Sequence, residues 1–267
     1  MTVPVVRTKK ALRTLVGAWR AKGLSVGFVP TMGALHPGHA ALVQRSAREN
    51  DKTIVSVFVN PLQFGPNEDY GRYPRALPAD RKLVAAAGAS AVYAPSTNEM
   101  YPKGFQTHAE VEGLSDLYCG KYRPGHFRGV ATVVLKLFNQ VRADRAYFGE
   151  KDWQQVRVLE AMVRDLDVPV KIVRVPIVRE RDGLAMSSRN AYLSPAERAA
   201  APALRRALEA GRKEARRPHS RAETIGAAVR HALTGTGLKV QYAAVFEGRL
   251  LAAAYLGRTR LIDNLSL

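Results

Sequence analysis

The sequence predicts an α/β fold: a parallel sheet with helices on both faces, followed by a smaller α+β unit. Three observations predict it. Short apolar, β-branched runs alternate with helical stretches through the first two thirds of the chain, the pattern of parallel strands joined by crossover helices. Residues 53–59 (Thr-Ile-Val-Ser-Val-Phe-Val) are almost continuously apolar, as a strand covered on both faces should be. After Val178 the pattern changes to alanine- and arginine-rich helices and then three closely spaced strands. The expected units are residues 1–177 and 178–267.

Taken in order, residues 8–22 read as a helix that Thr8 caps and Gly23 stops, with Leu12, Leu15, Val16 and Trp19 on one stripe. Residues 24–29 read as a strand and 39–49 as a helix. The strand at 53–59 runs into Asn60-Pro-Leu-Gln-Phe-Gly-Pro66, a loop at a strand's C-terminal end, where open α/β sheets bind ligands. Asn60 and Gln63 are polar candidates there; turn chemistry explains Asn60 before Pro61 equally well. Residues 80–87 suit a helix and 91–94 a strand. Residues 95–127 are rich in Pro, Gly and Tyr, and 107–111 suit a strand within them. So long a loop in a compact domain points to function. Residues 130–141 read as an apolar helix, 145–148 as a strand, 154–166 as a helix and 170–175 as a strand. Beyond the polar loop 184–190 come helices at 195–217 and 220–233, then strands at 240–246, 250–255 and 259–262.

The stretch Leu24-Ser-Val-Gly-Phe-Val-Pro-Thr-Met-Gly-Ala-Leu-His-Pro-Gly-His39 carries the strongest chemical signal. A buried strand leads into a glycine turn and then two histidines at a helix start. Gly33 permits positive φ and a close backbone approach. Pro37 fits a helix's first turn, and Gly38 leaves room beside it. Free N–H groups and the positive helix end would suit phosphate. His36 and His39, three apart, can point into one space as donors. Two histidines are too few for zinc, and no Cys or carboxylate follows at ligand spacing. Plain surface histidines at a helix start remain the bland alternative.

The charge balance, 41 Lys and Arg against 23 Asp and Glu, gives +18 and would attract polyanions. Much of the excess lies in arginine-rich helical stretches of the last third. No aromatic-interleaved basic platform accompanies it, so nucleic acid is not the expected partner. The one cysteine, Cys119, excludes an internal disulfide and fits a cytoplasmic location. The N-terminus lacks a signal-peptide pattern, and no apolar run reaches membrane-spanning length.

Six motifs then fall in one order: Pro30-Thr-Met-Gly-Ala-Leu-His-Pro-Gly-His39, Phe58-Val-Asn-Pro-Leu-Gln-Phe64, Arg123-Pro-Gly-His-Phe-Arg-Gly129, Phe148-Gly-Glu-Lys-Asp152 with Gln154-Gln155, Gly183-Leu-Ala-Met-Ser-Ser-Arg-Asn190 and Arg260-Leu-Ile-Asp-Asn264. Together they closely resemble the pantoate–β-alanine ligase (pantothenate synthetase) family across nearly the whole chain. The resemblance implies a Rossmann-like first domain of the nucleotidyltransferase and class I aminoacyl-tRNA synthetase type, with the smaller domain as a lid. It implies ATP-dependent joining of pantoate to β-alanine through a pantoyl-adenylate, releasing AMP and diphosphate. It also implies magnesium with the nucleotide, and a homodimer.

By the same resemblance, Met32, Gly33, Ala34, Leu35, His36, Pro37, Gly38 and His39 form a nucleotide-binding motif, with His39 the acid and His36 a phosphate contact. Gly149, Glu150, Lys151 and Asp152 form a second ATP segment, Lys151 being a point charge at the phosphates. Val178 lies on the adenine side. Met186, Ser187, Ser188 and Arg189 match a mobile phosphate loop. Gln63 and Gln155 match the pantoate-binding glutamines, with Asn60, Tyr73, Arg123 and His126 as further pocket candidates. Each has a plain alternative: Lys151 as a surface lysine, Ser187 and Ser188 as turn residues, Met32 as core. Trp153 departs from the family's usual Phe or Tyr. The main competing reading is another adenylyltransferase on the same scaffold, passing AMP to a phosphorylated acceptor.

Overall fold

A computed structural model describes residues 3–66 and 68–267. The chain divides into two compact units. The first comprises residues up to Glu150 and Gln154–Pro176; the second comprises Lys151–Trp153 and Ile177–Leu267.

The first unit contains, in order, β1 (Val5–Val6), α1 (Lys9–Arg20), β2 (Val26–Thr31), α2 (Pro37–Glu49), β3 (Lys52–Val57), α3 (Leu77–Ala86), β4 (Ala91–Tyr93), α4 (Thr97–Met100), α5 (Tyr118–Tyr122), α6 (His126–Val141), β5 (Arg145–Gly149), α7 (Trp153–Asp165, its first residue grouping with the second unit) and β6 (Lys171–Val175). The strands lie in the order β1-β4-β3-β2-β5-β6, and every pairing is parallel. Successive residues of each strand face opposite cores, as the period of two requires. Phe28, Ile54, Ala146 and Phe148 pack with α1, α6 and α7. Val29, Val55, Val92 and Tyr147 pack with α2 and α3. Helices therefore cover both faces, as the continuous apolar strands predict. Chain order reverses between β2 and β5, the neighbours from which the sheet grows outward on either side. The loops after those two strands share the sheet's C-terminal edge, where such folds bind ligands.

Local details explain the element ends. Thr8 caps α1 by accepting from the Ala11 N–H at 3.2 Å. α2 packs so closely on β2 that a Cβ on Gly27 would lie 2.1 Å from Ser46 Oγ. Under that contact, Ser46 Oγ bonds Thr53 Oγ1 at 2.8 Å, Asn50 Nδ2 donates to the Tyr147 hydroxyl at 2.7 Å, and that hydroxyl donates to Glu49 Oε2. Burial pushes the Tyr147 phenol up to about 12, so it remains a donor at neutral pH.

Several expectations are corrected. Residues 107–111 form no strand within the described chain. The Ala109 N–H donates instead to Thr132 Oγ1, while Ala109 and Val111 pack on the core. α6 begins a turn early, because Gly125 takes a left-handed conformation (φ 77°) at its N-cap. β1 was too short to read from the sequence.

In the second unit, α8 (Pro195–Ala200), α9 (Ala203–Ala215) and α10 (Ala222–Ala232) precede β7 (Leu238–Phe246), β8 (Arg249–Leu256) and β9 (Thr259–Ser266), an antiparallel sheet ordered β7-β8-β9. The single helix expected over 195–217 breaks at Pro202, whose ring and missing N–H cannot continue it. α9 and α10 pack on the sheet through Leu204, Leu208, Ile225, Val229 and Leu250. In α9, Arg205 and Arg212 pair with Glu209, and Arg217, just beyond the helix end, pairs with Glu214. This is the solvated-face pattern.

Asp144 ties the start of β2 to α1: Oδ2 accepts the Val26 N–H at 2.7 Å and Oδ1 accepts Arg20 Nη1 at 2.8 Å. Burial alone would raise its carboxyl, but the Val26 N–H and the Arg20 guanidinium outweigh burial and hold it below the ordinary aspartate value. A depressed carboxyl adds stability above the unfolded-state pKa and loses it as pH falls through the folded value. We expect Asp144→Asn to melt below wild type at neutral pH, with the two curves converging in acid. A gap that stays constant with pH would show that the charge does not act this way.

Candidate functional site

The turn after β2 is built from side chains that hold its backbone. Gly33 (φ 85°) and Ala34 (φ 51°) are both left-handed. The Gly33 N–H donates to Thr31 Oγ1 at 3.2 Å. The Ala34 and Leu35 N–H groups donate to Asp80 Oδ2 and Oδ1 at 3.1 and 2.8 Å. His36 is the N-cap of α2, and its Nδ1 accepts from the Gly38 N–H at 3.1 Å. His39 reaches back, its Nδ1 accepting from the His36 N–H at 3.4 Å, while its own N–H bonds the His36 carbonyl. The two imidazoles thus form a reciprocal capping box, with ring centroids 4.1 Å apart.

Two consequences follow. The expectation of free turn N–H groups is corrected: from Gly33 to His39 every N–H has an acceptor within the chain, Pro37 having none to offer. The hydrogen bonds also assign the tautomers. With Nδ1 accepting, the neutral rings carry their protons on Nε2, which becomes the donor. Protonating either Nδ1 would set N–H against N–H and break the cap.

The second cluster surrounds Gln63. Asn60 Nδ2 donates to Gln63 Oε1 and to the Gly129 carbonyl, both at 3.0 Å. Asn60 Oδ1 accepts from the Tyr101 hydroxyl at 2.7 Å and from the Leu62 N–H. Burial raises the Tyr101 phenol, so it stays protonated. Because Gln63 Oε1 accepts from Asn60, its Nε2 is the donor end of that amide. His126 Nδ1 bonds the Gln63 carbonyl at 2.8 Å, and Arg123 contacts His126 Nε2 at 3.0 Å. Arg123 also donates to Glu68 through Nε at 2.8 Å and through Nη2. Arg123 accordingly supplies the proton to Nε2, leaving Nδ1 to donate. Asn60, Arg123 and His126 thus hold Gln63. Tyr73 is buried against Phe64 in an edge contact, and Gln155 lies half-buried on the first turn of α7.

Gly149 ends β5, and Glu150 follows it as the last residue of that stretch in the first unit. The next residues belong to the second. The Lys151 carbonyl accepts from Asn264 Nδ2 at 3.0 Å, Lys151 Nζ pairs with Asp152 at 3.2 Å, and the Arg249 guanidinium lies 4.1 Å over the Trp153 ring. Arg249 Nη1 donates to Asn264 Oδ1. Asn264 itself follows Asp263, which grips Arg179 with two parallel bonds of 2.7 and 2.8 Å. The Met186 N–H bonds the Val178 carbonyl at 3.0 Å. Ser187 caps a short 3-10 helix, Ser188–Tyr192, by accepting from the Arg189 N–H at 3.2 Å. Each unit thus gathers part of the predicted set: His36, His39, Gln63 and their holders in the first, and Lys151, Val178 and residues 186–189 in the second.

Sequence reasoning passes over Asp80, Glu68 and Tyr101, which touch these residues from 41 to 55 positions away. It also passes over Gln154, which pins the 114–119 loop through the Cys119 N–H and the Leu114 and Leu117 carbonyls. Nothing in local spacing signals such contacts.

A Cβ on Gly129 would lie 2.2 Å from the Leu62 carbonyl oxygen and 2.7 Å from the Gln63 nitrogen. Intrinsic propensity favours Ala over Gly in a helix by about 1 kcal/mol. We nonetheless expect Gly129→Ala to lose about 1–3 kcal/mol by overpacking, read from denaturant unfolding. Stabilisation instead would mean that the 62–63 backbone gives way freely.

A family model described as Pantoate-beta-alanine ligase matches residues 4–266. The pantothenate synthetase of Paramagnetospirillum magneticum is 51% identical over 276 residues, covering 98% of this chain and 97% of the relative. The crystal structure of pantothenate synthetase from Thermus thermophilus superposes with a TM-score of 0.90 at 48% identity, covering 99% of each chain. The pantoate-β-alanine ligase of Francisella tularensis, solved in complex with "Beta-gamma ATP" and β-alanine, superposes with a TM-score of 0.86 at 36% identity, covering 99% of this chain and 97% of that one.

Proposed function

The chain belongs to the pantoate–β-alanine ligase family, and from that premise we propose that it joins (R)-pantoate to β-alanine with cleavage of ATP to AMP and diphosphate. The observation that carries the reading is the pair of imidazoles whose Nδ1 atoms cap α2. Both neutral rings thereby hold Nε2–H donors where the sheet's chain order reverses. The ligands of the Francisella relative support ATP and β-alanine as substrates here.

A carboxylate does not acylate an amine at neutral pH, because oxide is too poor a leaving group. In the first step a pantoate carboxylate oxygen bonds the α-phosphorus, and the bond to the bridging oxygen breaks with its electron pair. Diphosphate leaves and pantoyl-adenylate remains. In the second step the β-alanine nitrogen bonds the acyl carbon, AMP departs, and the nitrogen releases a proton. Both steps call for positioning and charge stabilisation rather than a covalent nucleophile.

The residues divide this work. His36 and His39 donate through Nε2 to phosphate oxygens, His39 offsetting charge as it builds on the leaving group. Lys151 adds a point charge and Arg189 a planar fork for diphosphate. Gln63, its Oε1 held by Asn60 and its Nε2 the donor end, donates to pantoate together with Gln155. Met32, Gly149, Glu150, Asp152, Val178, Met186, Ser187 and Ser188 complete the nucleotide contacts. In this reading His36, His39 and Gln63 of the first unit serve nucleotide and pantoate, and Lys151 and Arg189 of the second serve the phosphates. Among the described residues no group of three or more His, Cys, Asp or Glu is placed to hold a metal. Magnesium would come with the triphosphate, whose oxygens and water suit its preference for oxygen ligands. No helix among the described residues is long and apolar enough to cross a membrane. A cytoplasmic homodimer belongs to the same proposal, tested by fractionation and sedimentation.

The deciding assay is AMP formation that requires both pantoate and β-alanine. ADP as product, or no dependence on β-alanine, would sink the reading, and a product that retains AMP would favour an adenylyltransferase. His39→Ala and Lys151→Ala are each expected to lower turnover by about a hundredfold or more. Near-full activity in either variant would remove that residue from its role.

A further inference from the structure

Asp80 is a buried carboxylate that the proposed chemistry does not use. It sits in the first turns of α3, 2% exposed, and burial pushes its carboxyl upward, while the Leu35 and Ala34 N–H groups pull it back. Among the described residues no cation pairs with it. Its two oxygens instead take two consecutive backbone donors of the turn that leads to the histidines. That turn is strained. Ala34 has φ 51° without being glycine, a conformation that persists only where the surroundings hold it. Gly33 has no space for a side chain: a Cβ would lie 3.0 Å from Asp80 Oδ2 and 3.0 Å from Val57 Cγ1.

Left-handed turns that aim successive N–H groups at one point make concavities that bind anions. Here the anion is the protein's own carboxylate. An incoming phosphate therefore meets imidazole donors, while the turn's amides stay engaged below. We propose that Asp80 is a positioning residue: by occupying the Ala34 and Leu35 amides it fixes the turn, and through it the Nε2–H donors of His36 and His39 for the triphosphate. The inference rests on the ligase reading for the identity of the ligand. Its geometry stands without it.

Two measurements test the role. The first uses wild-type protein without nucleotide. The Ala34 and Leu35 amides should already be protected from hydrogen exchange, and adding ATP with magnesium should leave their protection unchanged. Fast exchange that ATP slows would mean that these amides bind phosphate, overturning the proposal. The second compares variants. Asp80→Asn keeps the volume but aims an NH2 group at one of the two N–H donors. It should raise the KM for ATP about tenfold or more and leave the KM for pantoate within about twofold. Val84→Ala, in the same helix and fully buried, removes core volume but leaves the Asp80 bonds to the Ala34 and Leu35 amides in place. It should lower the melting temperature and leave the KM for ATP unchanged. An unchanged ATP KM in folded Asp80→Asn, or an equal rise in Val84→Ala, would reduce Asp80 to a stability residue. If wild type forms no AMP from the three substrates, the ligase reading fails, while the exchange measurement still decides whether Asp80 holds the turn.

Discussion

The seating of α2 on the sheet is the contact from which the first unit's chemistry follows. Gly27 lets the helix approach β2 without an intervening side chain, and Ser46, Asn50 and Tyr147 fill the interface with satisfied hydrogen bonds. A buried polar network holds a unique arrangement only when each member has a partner. Here it locks the far end of α2 to β3 and β5, and so fixes where the capped end emerges beside the reversal in chain order. A side chain at position 27 would lift the helix and carry both histidines with it.

The accounting of turn amides changes how recognition works. A helix N-terminus ordinarily offers its first N–H groups to an anion. In this chain two imidazoles claim those of His36 and Gly38, and a carboxylate claims two more in the turn before them. The motif then presents the positive helix end together with rings whose tautomer the cap dictates. Ring donors gain directionality that loose backbone groups lack, because each is fixed at its other nitrogen. Gln63 follows the same logic: Asn60 holds its side-chain oxygen, while His126 and Arg123, the latter paired with Glu68, hold its backbone carbonyl.

The second unit shows why chain order and structural grouping diverge at residues 151–153. Asn264 donates to the Lys151 carbonyl and accepts from Arg249, which stacks on Trp153. Asp263 beside it, 4% exposed, is gripped by Arg179. Removing one partner of such a buried pair costs about 3–5 kcal/mol, since the other charge is left uncompensated. The last strand of the chain thereby holds a lysine encoded more than a hundred positions earlier.

By itself the sequence determined the alternation of strands and helices, the covered sheet, the change of pattern near residue 177 and the motifs that mark the family. These depend on hydrophobic period and on contiguous residues, both of which a linear reading can see. Helix starts at His126 and the break at Pro202 were partly legible through glycine and proline. Only the tertiary structure decided that the turn's amides are occupied, that Asn60 and Arg123 hold Gln63, and that Lys151 groups with the C-terminal strands. Each of those facts rests on hydrogen bonds between residues tens of positions apart, such as Asp80 with Leu35 or Asn264 with Lys151. The fold brings such partners together by packing apolar faces, and nothing in the spacing of the polar residues themselves encodes the meeting.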